Sequence, residues 1–134
     1  MVKNYRDSIM ESFEEYVKTQ LERIIESYDL LAELPDKPGS LDVIKKQTLK
    51  ISGVLRVLNT KIDKVGRNID AFVEFSKSSK SYLKNYDFER EINTMADLYS
   101  EDVFRLKNIR LKILESLNDK KLMEKIQNLI QAVK

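Results

Sequence analysis

Cysteine, histidine and tryptophan are all missing from this chain of 134 residues. Without cysteine there are no disulfides, no thiolate nucleophile and none of the usual structural zinc sites, and nothing marks the redox compartment. Without histidine the commonest general acid/base and the commonest metal ligand are gone, along with the Glu-x-x-His signature of di-iron bundles. Three Gly and two Pro occur, and both Pro fall in the one segment Pro35-Asp36-Lys37-Pro38-Gly39. Sandwiches and barrels need turn residues about every eight to twelve positions, so such sparse punctuation predicts an all-α fold. Long apolar runs are lacking as well: no window approaches the roughly eighteen uncharged apolar residues that suggest a membrane span. The stretch MVKNYRDSIMESFEEY has charges every few residues where a secretory signal has an apolar core. The expectation is a soluble intracellular protein, cytoplasmic by default, forming a single helical-bundle domain over 1–134.

What the chain does have is apolar residues at helical spacing. Met10, Phe13, Val17, Leu21, Ile24, Tyr28 and Leu31 recur at steps of three and four, which predicts a first helix over about 4–34. Pro35 ends it, because a proline disfavours the α conformation of the residue before it. Ser40 reads as the N-cap of a second helix over 41–84, with Asp42 in its first turn where a negative charge suits the dipole. The seam of this helix, Ile44, Thr48, Ile51, Leu55, Leu58, Ile62, Val65, Ile69, Phe72, Ser76, Ser79 and Leu83, alternates four- and three-residue steps, a coiled-coil period. Gly66 lies inside it and is expected to weaken the helix by about 1 kcal/mol without ending it. Asn85-Tyr86-Asp87 reads as a turn with Asp87 capping a third helix over 87–117, and Asn118-Asp119 as a break before a short fourth over 119–133. The predicted architecture is an antiparallel three- to four-helix bundle with one long coiled-coil-like central helix.

At about 1.5 Å per residue the second helix would be about 66 Å long against about 46 Å for the first. Either it breaks in Ser76-Lys77-Ser78-Ser79-Lys80-Ser81, or its end projects past the bundle. On a helical wheel Ile69, Ala71, Phe72, Val73 and Phe75 cover about 200°, wider than a surface helix needs. Beyond Phe75 the seam positions are Ser76 and Ser79, whose burial gains little transfer free energy. The expectation is core up to Phe75 and then a solvated or partner-facing basic end. Its serines offer phosphorylation sites that would reverse the local charge.

Charge is segregated along the chain. Residues 1–34 hold four basic and eight acidic groups, residues 41–84 ten and four, residues 85–117 five and seven, and residues 118–134 four and two. Helix two is thus basic between two acidic neighbours, which predicts helix pairing by opposite fields. The formal net charge of +2 does not by itself name a polyanionic partner.

Catalytic chemistry finds no foothold. Asp70 with Glu74, and Glu11 with Glu14 and Glu15, are spaced to share an ion, but each group has Lys or Arg within reach on the same helix. No glycine-rich phosphate loop, nucleophile elbow or kinase signature occurs. No catalytic residue, cofactor, metal or small-molecule substrate is expected, and the protein reads as non-enzymatic. The last segment, DKKLMEKIQNLIQAVK, is amphipathic and reads as a bundle-closing helix more than a membrane-surface one. The functional expectation is a helical adaptor or small assembly subunit acting through association with a protein partner or with itself. Phe75, Lys77, Lys80, Tyr82 and Lys84 are the contact candidates. The alternative is a subunit of a nucleoprotein complex in which Lys61, Lys64, Arg67, Lys77, Lys80 and Lys84 follow a nucleic-acid backbone.

Overall fold

The structure is a computed structural model that describes the backbone of residues 5–66 and 69–133, with side chains from residue 12 onward. It is all-helical, and among the described residues there is no strand. The elements in order are α1 (Tyr5–Glu33), α2 (Ser40–Val65), α3 (Asp70–Asn85), α4 (Glu89–Leu98), α5 (Val103–Asn118), a one-turn 3-10 helix (Asp119–Lys121) and α6 (Leu122–Ala132). None of these helices is long and apolar enough to cross a membrane.

The first helix ends before Pro35, as the proline requires. Gly39, with φ 95°, makes the turn into α2. Ser40 is the first residue of α2, and its hydroxyl donates back to the Pro35 carbonyl at 2.6 Å; it ties the connection closed and caps no N–H, contrary to the sequence-based expectation.

The long central helix over 41–84 does not exist. Gly66 adopts φ 70°, its N–H bonds the Ile62 carbonyl at 2.9 Å, and α2 stops there. This is the left-handed C-cap for which glycine is suited, because it has no Cβ to clash. The seam divides at the same point: Val65 and Ile69 are exposed, whereas Ile44 to Ile62 and Phe72 to Ser79 supply buried positions on either side. The helix after the break lies against α2, where Asn59 Nδ2 donates to Ser79 Oγ at 2.7 Å and Lys80 Nζ to Asp63 at 3.1 Å.

The expected helix over 87–117 is likewise two. Tyr99 closes α4 through a bond to the Met95 carbonyl, and Asp102 opens α5 by accepting from the Arg105 N–H at 3.1 Å. Asp87 is not the cap: it lies one place before the N-cap Phe88, and its carboxylate accepts from the Glu89 N–H at 3.0 Å, closing the turn ahead of α4. The break at Asn118-Asp119 is present too, with Lys120 and Lys121 at φ 54° and 57°. Asn118 donates to the Tyr28 hydroxyl at 2.8 Å, the Tyr86 hydroxyl to Asp119 at 2.8 Å and Ser78 to the Lys120 carbonyl at 3.1 Å. Three separate elements thus hold the turn.

All six α-helices contribute to one apolar core, with Phe72, Phe75, Leu21, Ile24, Leu55 and Leu106 among its fully buried members. Each such side chain is worth about 1.5–3 kcal/mol on leaving water. Arg110 is the one charged side chain among the buried described residues, and it joins α5 to the end of α1.

Candidate interaction surfaces

Two of the five contact candidates are core residues. Phe75 is fully buried, and Tyr82 nearly so, with the side chains of Ser116 and Ser52 near its hydroxyl. Burial raises the Tyr82 phenol above its ordinary range. Neither ring can anchor a partner without opening the core, so the expectation fails for both. Lys77, Lys80 and Lys84 are exposed on α3, and Lys80 is held by Asp63.

The phosphate-backbone candidates lie on two helices, on either side of the turn at Gly66. Lys61 sits over the Tyr16 ring, 4.8 Å from its centroid, and Lys64 is exposed near the end of α2. Arg67 lies outside the described residues. Between α2 and α3 a shallow groove brings Lys77 and Lys80 together, but Asp63 stands in it. Of the acidic pair Asp70 and Glu74, Glu74 bonds Lys125 of α6 at 3.1 Å, and that contact holds its carboxyl below the ordinary range. Among the described residues no group of carboxylates is placed to hold a metal.

The serine run also departs from expectation. Ser78 and Ser79 are buried and Ser76 is half-buried beside Asn59. A kinase would reach Ser78 or Ser79 only after α3 had come away from its neighbours.

The corner between α4 and α5 is a surface that helical spacing did not single out. Leu98 is 69% exposed and Phe104 78% exposed, one on each side of the four-residue connection 99–102, with Val103 exposed beside them. Tyr99 stacks under the Arg105 guanidinium at 3.8 Å, and Arg105 reaches back to Asp102 at 3.3 Å, so these contacts tie the connection to the start of α5. Behind it runs a cleft of about 430 Å³ lined by Arg90, Thr94, Met95, Tyr99, Asn108 and Ile109, with the pair Lys112–Glu91 at 3.0 Å on its rim. An apolar floor with a mostly cationic rim can take an apolar side chain flanked by carboxylates. The sequence held one signal for this surface: Phe104 lies one position off the Tyr99-Val103-Leu106 seam, too large a ring to leave in water without cost.

Compared with family models, curated proteins and solved structures, the chain matches none.

Proposed function

We propose that the protein is a helical adaptor, a non-enzymatic subunit of a larger assembly that docks another protein through its α4–α5 corner. The exposure of Phe104 and Leu98 on either side of the α4–α5 connection is the observation that supports this reading. A large apolar side chain forfeits about 1.5–3 kcal/mol by staying in water, and aromatic rings at the centre of an interface are the usual energetic anchors. In this reading the helices form an antiparallel bundle whose role is to present the corner. The nucleic-acid alternative is weaker, since two of its cations are already engaged, Lys80 by Asp63 and Lys61 by the Tyr16 ring.

The test is recovery of the tagged full chain from its source cells after nuclease treatment. A protein should co-purify in stoichiometric amount with the wild type and be lost from a Leu98→Ser, Phe104→Ser variant of unchanged stability. If the variant retains it, the corner is not the docking surface. If nuclease removes everything, the nucleic-acid alternative replaces this reading.

A further inference from the structure

The outer faces of α1 and α2 bear opposite charge that no ion pair among the described residues neutralises. On α1, Glu22, Glu26, Asp29 and Glu33 are exposed at steps of four, three and four, and so run down the side turned away from Leu21, Ile24 and Leu31. Leu30 stands among them, 45% exposed. On α2 the side turned away from Ile44, Ile51 and Leu58 bears Lys45, Lys46, Lys50 and Arg56 around Leu49, which is 50% exposed, and Val57. None of these eight charged side chains makes an ion pair with another described residue. Glu22 with Glu26, Asp29 with Glu33, and Lys46 with Lys50 are like charges one turn apart, an arrangement that destabilises its own helix. Rows of this kind are relieved by an opposing row, as e and g charges are in coiled coils.

We infer that the protein self-associates, the acidic stripe of α1 in one copy lying along the basic stripe of α2 in another. The two stripes match in length, since Glu22 to Glu33 and Lys45 to Arg56 each span three turns, about 16 Å of helix. Laid in opposite directions, Glu22 meets Arg56 and Glu33 meets Lys45. In that register Ile25 lies over Gly53, where nothing lies within 4 Å of the missing Cβ, and Leu30 falls within one residue of Leu49. The apolar pairs supply buried area while the charges set direction and register. A nucleic acid suits the α2 stripe less well, because Leu49 and Val57 stand in its middle and Asp42 at its head. An unrelated acidic helix would need to reproduce the length and spacing that this chain already presents. The surface is distinct from the α4–α5 corner, so this inference and the proposed docking reading stand or fall separately.

Sedimentation of the nuclease-treated full chain tests it. The wild type should exceed its monomer mass of 15.7 kDa with rising concentration at low salt, and return to it at about 0.5 M salt, where exposed charges are screened. A Glu22→Lys, Glu33→Lys variant and a Lys45→Glu, Arg56→Glu variant should each be monomeric at unchanged helical content. An equimolar mixture of the two should associate again, because each then offers the stripe the other needs. Phe104→Ser should leave the wild-type mass unchanged. A wild type that stays monomeric overturns the inference, as does association that survives in either variant, or a mixture that fails to associate. A larger mass that disappears on nuclease treatment overturns it in favour of a polyanion on α2.

Discussion

Replacing Arg110 with methionine isolates the charged joint in the core. The guanidinium donates from Nε and one terminal nitrogen to the Asp36 carboxylate at 2.9 and 3.2 Å, and from the other to the Leu31 and Ala32 carbonyls at 3.2 and 3.3 Å. Those carbonyls belong to the last turn of α1, which has no helical donor for them. Methionine keeps the apolar stem but strips all four bonds. Hydrogen bonds to charged groups are worth about 1.5–3 kcal/mol each, yet they are not additive here, and Asp36 is exposed enough to regain water. The expected cost is therefore about 2–3 kcal/mol for Arg110→Met, with about 1–2 kcal/mol for Asp36→Ala, which spares the carbonyl bonds. The double variant should fall short of the sum by about 1 kcal/mol or more. Urea unfolding followed by circular dichroism measures all three. The Asp36 carboxyl is held below its ordinary value chiefly by the hydrogen bonds from Arg110, against burial. Folding thus favours the ionised form: this share of stability is complete above the unfolded carboxylate's range and is lost as pH falls through the lowered folded value. Acid sensitivity over that window should flatten in Arg110→Met. A loss under about 0.5 kcal/mol, within the range of ordinary surface substitutions, would refute the reasoning and make the joint incidental.

Asn59→Ala leaves the buried Ser79 hydroxyl without its donor and should cost about 1–3 kcal/mol in urea unfolding; a smaller loss means water replaces the amide. Gly66→Ala meets no steric obstacle but must adopt φ 70°, so it should destabilise by about 1 kcal/mol through backbone strain alone. Should Gly66→Ala stabilise the protein, the break between α2 and α3 has another cause. Tyr82 has a phenol raised by burial, so the folded state favours its neutral form. That contribution is whole below the unfolded tyrosine value near pH 10 and is lost as pH rises through the raised folded value. Alkaline melting curves should therefore drop more steeply for wild type than for Tyr82→Phe, and equal slopes would contradict the burial.

The first helix, the connection at Pro35 and the break at Asn118-Asp119 were legible because each is decided locally, by a proline or by the loss of apolar spacing. The breaks at Gly66 and Tyr99–Asp102 were not, and for one reason. In both the apolar spacing keeps its phase across the interruption, so Ile62, Val65, Ile69 and Phe72 look like one seam, as do Met95, Tyr99, Val103 and Leu106. Periodicity reports angle around an axis and cannot tell one axis from two. The information that decides is tertiary: an unbroken second helix would carry Phe72, Phe75 and Tyr82 away from α1, whereas the break lets Phe72 stack on Phe13 at 6.0 Å and lets the α3 core residues join the same core. Against that gain the intrinsic cost of ending a helix at a glycine is small, about 1 kcal/mol by propensity.

The candidate site was misjudged through the same blindness, and the serine run shows how. Ser76 and Ser79 gain little from the hydrophobic effect, which made a solvated end look natural. Burial of a small hydroxyl is instead favourable where two helices need to come close and a partner is at hand, since close packing and a satisfied hydrogen bond together outweigh the modest desolvation of one Oγ. Asn59 and the Lys120 carbonyl are those partners. Once α3 is packed in this way, Phe75 and Tyr82 must point inward, because they share its buried side with Ser78 and Ser79. The most exposed of the large apolar groups, Phe104 and Leu98, are then those at the corner that the sequence pattern smoothed over. Leu98 and Phe104 flank a break invisible to periodicity, so the proposed docking surface lies where spacing alone predicted an uninterrupted helix.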